Sequence, residues 1–215
     1  MMRMISSILD AWLPDRCPVC GQAVKPVTRG VCDTCAPLRR VSWPQIEGVD
    51  RCLAVTPYRD TIRDAIHGLK FEGQSWRGRR LGQWIAEVAR DHGLALESAT
   101  LIAIPQSAER SRQRGYNHAV RLAQGASNAE LRVRTGLVHR TEDAGVQHMR
   151  TRSERHAIAG AFRAAGLQGR IVLIDDVVTT GSTLASVAAA IRLEAGGPVQ
   201  IDAWVLAWTP GDVVS

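Results

Sequence analysis

Residues 171–183 read Ile171-Val172-Leu173-Ile174-Asp175-Asp176-Val177-Val178-Thr179-Thr180-Gly181-Ser182-Thr183, and their order decides the fold. Ile171 to Ile174 is apolar at every position, the pattern of a central parallel strand covered on both faces. Leu184, Val187, Ala188 and Ile191 then recur at helical spacing, so the strand feeds a helix that ends near Gly196-Gly197-Pro198. Between strand and helix lie the parts of an anion site. Backbone N–H groups converge where a helix begins, Gly181 permits close backbone approach, and the hydroxyls of Thr179, Thr180, Ser182 and Thr183 add donors. Asp175 and Asp176 sit one loop earlier, where they would repel an anion. They suit sugar hydroxyls, or Mg²⁺ held through water. Helix capping alone needs one such residue, and two acids with four hydroxyls around a glycine exceed that need. The stretch is not a Walker A loop, because no Gly-Lys-Ser/Thr follows, and G-x-G-x-x-G is absent.

Outward from this stretch, short apolar runs alternate with helical patterns from about residue 49 to 208, the signature of an α/β fold with a mainly parallel sheet and flanking helices. Residues 51–56, 101–104 and 199–208 read as strands. Asp60 to Leu69 carries a helical face at Ile62, Ala65, Ile66 and Leu69. Leu81 to Val88 presents Trp84, Ile85 and Val88 on one side, and Tyr116 to Ala129 turns Leu122 and Ala123 inward. Residues 137–169 carry no clear period.

Residues 14–48 differ in kind. They hold four of the five cysteines with prolines and glycines, and too few large apolar groups for a core of their own. Cys17-Pro18-Val19-Cys20 and Cys32-Asp33-Thr34-Cys35 are two C-x-x-C knuckles, and four thiolates so placed complete a tetrahedral structural zinc site. Gly21 supplies the turn after the first pair. Disulfides would conflict with a cytoplasmic location, and a redox motif would need a single C-x-x-C at a strand-to-helix junction. Cys52 sits in an apolar strand and reads as plain core. Apolar residues at 4, 5, 8, 9, 12 and 13 give the N-terminus an amphipathic helical pattern, packing on the zinc module or on a partner. It is too short and interrupted for a signal peptide, and no apolar run is long enough to span a membrane, so a cytoplasmic protein is expected.

At 215 residues the chain has room for one α/β domain and a small appendage. The net charge of +6 rests almost wholly on arginine, since only Lys25 and Lys70 are lysines. That bias fits a GC-rich coding sequence as well as a taste for phosphates. The densest cluster is Arg110, Arg112 and Arg114, and no DNA-reading element is present. Five histidines, at 67, 92, 139, 148 and 156, show no ligand spacing, and the six tryptophans are scattered as packing residues.

The stretch Asp175 to Thr183 resembles the 5-phosphoribosyl-1-pyrophosphate (PRPP) signature of type I phosphoribosyltransferases, two acids followed by T-G-S/T-T. Three further segments narrow the resemblance. Tyr58-Arg59-Asp60 through Ala65-Ile66-His67-Gly68-Leu69-Lys70-Phe71-Glu72-Gly73, Ile104-Pro105 through Arg114-Gly115-Tyr116-Asn117-His118, and Arg155 through Gly160-Ala161-Phe162 are similar, in order, to stretches of the ComF (competence protein F) family. His118 stands where that family usually has Gln, and Ala157 where it has Asn. The resemblance implies a type I phosphoribosyltransferase fold over residues 49–215, behind an N-terminal helix and a small four-cysteine zinc module over 1–48, its ligands Cys17, Cys20, Cys32 and Cys35. It implies that Asp175 and Asp176 are catalytic and contact the ribose hydroxyls. Val178, Thr179, Thr180, Gly181, Ser182 and Thr183 would complete the PRPP site around the 5-phosphate, with Mg²⁺ as the cofactor.

Arg112 and Arg114 follow a buried strand, on the carboxyl edge shared with the loop. They read either as bidentate pyrophosphate contacts or as a solvated basic loop. Lys70 reads either as a compact ammonium beside the leaving pyrophosphate or as a surface residue at a helix end. The activity so implied is transfer of phosphoribose to an acceptor, in a role linked to natural competence and DNA uptake. The alternative is a non-catalytic PRPP or nucleotide adaptor that docks a helicase-like partner through the zinc module. A blander third reading keeps the site as structure only, and direct DNA binding has no support in the sequence.

Overall fold

The computed structural model describes residues 16–23, 30–94, 99–128, 131–141 and 161–209. The N-terminal helical pattern, Arg155 and Ala157 lie outside the described residues. Strand β1 (Arg51–Pro57) leads into helices α1 (Asp60–Phe71) and α2 (Trp76–Asp91), then β2 (Thr100–Ala103), a short α3 (Ala108–Arg114) and α4 (His118–Ala126). After β3 (Arg132–Arg134) comes a small antiparallel pair, β4 (Val138–Arg140) with β5 (Phe162–Ala164). The chain closes through β6 (Gly169–Val178), α5 (Ser182–Leu193) and β7 (Val199–Trp208). The main sheet runs β1-β7-β6-β2-β3 with every pair parallel. No helix among the described residues is long and apolar enough to cross a membrane.

Side chains alternate across a strand, so each strand feeds two apolar layers. In β6, Val172 and Ile174 join the layer that holds Ile62, Ile66, Trp84, Ile85 and Leu122 from α1, α2 and α4. Ile171 and Leu173 join the opposite layer, with Leu184, Val187 and Ile191 of α5 and Phe162 of β5. Carried two residues further, the same period turns Asp176 toward α1 and α4 and Asp175 toward the other face.

The crossover from β2 leads outward to β3, and that from β6 leads the opposite way to β7. The β2–β6 boundary is therefore the topological switch point, where open α/β sheets form their ligand crevice. β2 stops with Ala103 opposite Ile174, while β6 continues beside β7 as far as Val178. Both aspartates thus belong to the end of a strand and not to a loop, where the sequence pattern places them. Pairing with Val205, Ala207 and Trp208 keeps the backbone of β6 extended that far. The region 108–114 forms a helix where a basic loop is one reading of the sequence, and α4 is shorter than its apolar pattern. It starts at His118 because the Asn117 side chain caps it, accepting from the N–H groups of Ala119 and Val120 at 2.8 and 3.3 Å.

The cysteine segment lacks a core of its own and borrows one. Cys17, Val19, Val31 and Cys35 are buried in the layer that contains Trp84 and Val88 of α2. Residues 40–42 then cover the outer edge of β1, where Ser42 and Ala54 exchange backbone hydrogen bonds at 2.9 and 3.0 Å.

Helices α2 and α4 cross backbone to backbone at glycines. A Cβ on Gly82 would lie 1.9 Å from the Leu122 carbonyl oxygen, and one on Gly125 would lie 1.8 Å from that of Arg79. Gly125→Ala is therefore expected to force the helices apart and to cost about 1–3 kcal/mol in a urea unfolding experiment. An unchanged midpoint would show that the helices do not meet at this glycine.

Candidate functional site

Asp176 is 3% exposed, and a carboxylate so buried needs compensation. Two helices supply it. Lys70, in the last turn of α1, makes an ion pair with Oδ2. His118, the first residue of α4, is 4% exposed, and its Nε2 lies 3.2 Å from Oδ1. Oδ2 faces the ammonium without accepting a well-directed hydrogen bond. Burial opposes the charge of Asp176, but the His118 hydrogen bond and the Lys70 ammonium outweigh it and hold the carboxyl well below its usual range. Asp175 behaves oppositely. Burial, and then the charge of Asp176 beside it, push its carboxyl well above the usual range, although its Oδ1 accepts the Asp176 N–H at 2.9 Å. The adjacent acids therefore shift in opposite directions.

The network continues behind His118. Gln106, just past the end of β2, lies 2.7 Å through Nε2 from both His118 Nδ1 and Asn117 Oδ1. Arg114 donates to Gln106 Oε1 at 3.1 Å and lies 3.3 Å from His118 Nδ1, with its guanidinium 4.7 Å from the centre of the Phe71 ring. Arg114 thus joins the aspartate cluster through His118, with Gln106 bridging beside it. Arg112, exposed on the same helix, is outside that network.

Beyond Val178 the chain turns through Thr179 and Thr180 to Gly181, whose φ of +76° is the left-handed conformation that glycine adopts without strain. A Cβ there would also strike Ile46 at 2.2 Å. Thr179, Thr180, Ser182 and Thr183 are all exposed. Gly181, the N-cap of α5, has no side chain to cap the helix, no acid lies in the first turn, and the Ser182 N–H has only a long contact to Thr180 Oγ1 at 3.4 Å. Thr180 Oγ1 donates to Ser182 Oγ at 3.1 Å, so the hydroxyls already converge.

The four knuckle cysteines form a separate centre. Their sulfur atoms all lie within 4.8 Å of one another, with Cys17 and Cys35 buried. Cys20 and Cys32 Sγ are 3.8 Å apart. Tetrahedral zinc with bonds of about 2.3 Å sets its sulfurs about 3.8 Å apart, so the thiols are compatible with a structural zinc site. Burial raises the Cys17 thiol, but the N–H groups of Cys32, Cys20 and Val19 outweigh this and bring it to about 7. Arg77 of α2 clamps the first knuckle, donating to the carbonyls of Pro18 and Val19 at 2.5 and 2.9 Å. Cys52 is separate, and burial pushes its thiol up to about 12.

Of the residues marked from sequence, the structure joins Lys70 and Asp176 directly and Arg114 at one remove, beside Asp175 and the Val178–Thr183 turn. The sequence does not mark His118, Gln106 or Arg77 as site residues. His118 stands in a motif that is visible there. Gln106 has only its place after a strand-ending proline, and Arg77 has no signal beyond charge.

No family model matches the chain. It is similar to the DNA utilization protein YhgH of Escherichia coli O6:H1, 32% identical over 167 residues that cover 74% of this chain and 72% of that protein. Competence protein F of Haemophilus influenzae is 30% identical over 169 residues, with the same two shares. The YhgH protein of Salmonella typhimurium aligns over 90% of each chain at 28% identity. Among solved structures, a purine phosphoribosyltransferase from Pyrococcus horikoshii Ot3 superposes with a TM-score of 0.34 and 20% identity, over 65% of this chain and 78% of that one, a likeness too loose to define the fold.

Protein purified without chelator is expected to contain about one zinc per chain by metal analysis. Cys35→Ser should bring that value close to zero and lower the thermal midpoint. Metal-free wild-type protein would rule the zinc centre out.

Proposed function

The chain belongs to the family of competence protein F and the DNA utilization protein YhgH, and from that premise we propose that its sheet edge binds PRPP and transfers the phosphoribosyl group to an acceptor. One observation carries the reading. A helix N-terminus with no acid in its first turn, flanked by four exposed hydroxyl residues, stands at the switch point directly after the half-buried Asp175 and the buried Asp176. The motif resemblance names the ligand, and the geometry supports that reading.

In this reading the 5-phosphate lies on the amides and hydroxyls of Val178 to Thr183. The ribose hydroxyls lie against Asp175 and Asp176, whose carboxyl oxygens can accept from them. Lys70 and Arg114 lie toward the departing pyrophosphate. The C1–O bond breaks with its electron pair going to pyrophosphate, and an acceptor lone pair forms the new bond to C1 as the acceptor gives up a proton. Oriented binding and fixed positive charge lower the barrier. Magnesium would neutralise the leaving pyrophosphate. The side-chain arrangement fits a metal carried mainly by ligand phosphates, because Asp176 already faces Lys70 and His118 and only Asp175 could add a protein oxygen. A cytoplasmic, reducing location belongs to the same reading, since it keeps the four thiols free for zinc.

A second reading has an observation of its own. Asp176 is tied to Lys70 and His118, and His118 to Gln106, so neither is free to serve as a general base for the acceptor. A PRPP- or nucleotide-binding adaptor, which docks a helicase-like DNA-uptake partner through the zinc module, needs no such base.

Isothermal titration with PRPP and Mg²⁺ is expected to show binding that Asp175→Asn combined with Asp176→Asn abolishes. No heat at millimolar ligand would sink both readings. Pyrophosphate release over a panel of bases and amines then separates them, because the adaptor would release none.

A further inference from the structure

The polarity of the network behind Asp176 can be read step by step. Asn117 Oδ1 is committed as an acceptor because it caps α4, receiving the N–H groups of Ala119 and Val120. The Gln106 group 2.7 Å from that oxygen is therefore the amide NH2 and not the amide oxygen. The same NH2 lies 2.7 Å from His118 Nδ1, and the Arg114 guanidinium, which can only donate, lies 3.3 Å from it. Gln106 Oε1 accepts from Arg114 at 3.1 Å, which agrees with this orientation. Two donors directed at Nδ1 leave it unprotonated. The imidazole proton then sits on Nε2, which faces Asp176 Oδ1 at 3.2 Å.

We propose that His118 is a positioning residue for the phosphoribosyl site: held as the Nε2–H tautomer by Asn117, Gln106 and Arg114, it donates to Asp176 and fixes that carboxylate in the crevice. The proposal rests on the PRPP reading for its effect on ligand, but not for the tautomer. It ties the arginine on the pyrophosphate side to the acid on the ribose side through one imidazole, so that neither moves alone.

A rival use of the same atoms is a metal centre, since His118, Asp175 and Asp176 present ligand atoms within 4.8 Å of one another. Two features exclude it. A protonated Nε2 has no lone pair for a metal, and the Lys70 ammonium already occupies the cation position beside Asp176 Oδ2.

Long-range ¹⁵N–¹H NMR of the full-length ligand-free protein reads the tautomer directly, with the His118 signals assigned by their loss in His118→Gln. The expected pattern is a protonated Nε2 and a bare Nδ1, unchanged on adding manganese. An Nδ1–H tautomer, an imidazolium, or selective broadening of His118 by manganese would overturn the proposal. PRPP titration supplies the second readout. His118→Gln keeps the polarity, with its oxygen toward Gln106 and Arg114 and its NH2 toward Asp176, so its affinity should stay within about threefold of wild type. His118→Leu should lose about tenfold or more, the size of one hydrogen bond to a charged group. Equal affinity in the Leu variant, or equal losses in both, would refute positioning by hydrogen bond. If wild type binds no PRPP, the function proposed above fails, while the NMR still decides the tautomer. If the Leu variant does not fold, the Gln variant and the NMR carry the test.

Discussion

A buried carboxylate must find its counter-charge within the protein, and the carboxyl edge of this sheet is arranged around that requirement at Asp176. The alternation of β6 carries Asp176 to the face that α1 and α4 cover, and each helix presents one polar group there. Lys70 comes from the last turn of α1, where a cation also suits the helix dipole. His118 comes from the first turn of α4, whose start is set by the Asn117 cap. Moving either helix by a turn would strand the charge. The glycine crossing of α2 and α4 bears on this indirectly, because it decides how close α4 lies to the rest of its layer.

Asp175 and Asp176 are neighbours in sequence with opposite fates, for two reasons. Consecutive strand residues point to opposite faces, so the Lys70 and His118 contacts go to Asp176 alone. The charge of Asp176 also bears on its neighbour, so the Asp175 carboxyl is pushed up while that of Asp176 is held down.

The cysteine module solves a different problem. Its segment has too few apolar side chains to fold alone, so it combines a four-thiol centre with a borrowed core. Val19 and Val31 enter the layer of α2, and the Arg77 guanidinium holds two knuckle carbonyls. Gly30 lies against the Trp84 backbone, where a Cβ would meet Cα at 2.8 Å. The module is therefore seated on the same helix that packs against α4, and shares a layer with Val172 and Ile174 of β6.

The sequence by itself determined the local pieces: the apolar run of β6, the hydroxyl turn at Thr179 to Thr183, the two C-x-x-C knuckles, and the alternation that makes a parallel sheet. Each is legible because its cause lies within a few residues, in period, turn chemistry or ligand spacing. The length of β6 and the late start of α4 were not legible, because backbone pairing with β7 and the Asn117 cap decided them over local pattern. Only the tertiary structure decided which side chains complete the site. His118 and Asp176 are 58 positions apart and Arg77 and Val19 another 58, and nothing in a local window records such a pairing. Burial chose them, because a charge or carbonyl removed from water binds whichever donor the packing of helices on the sheet brings within reach.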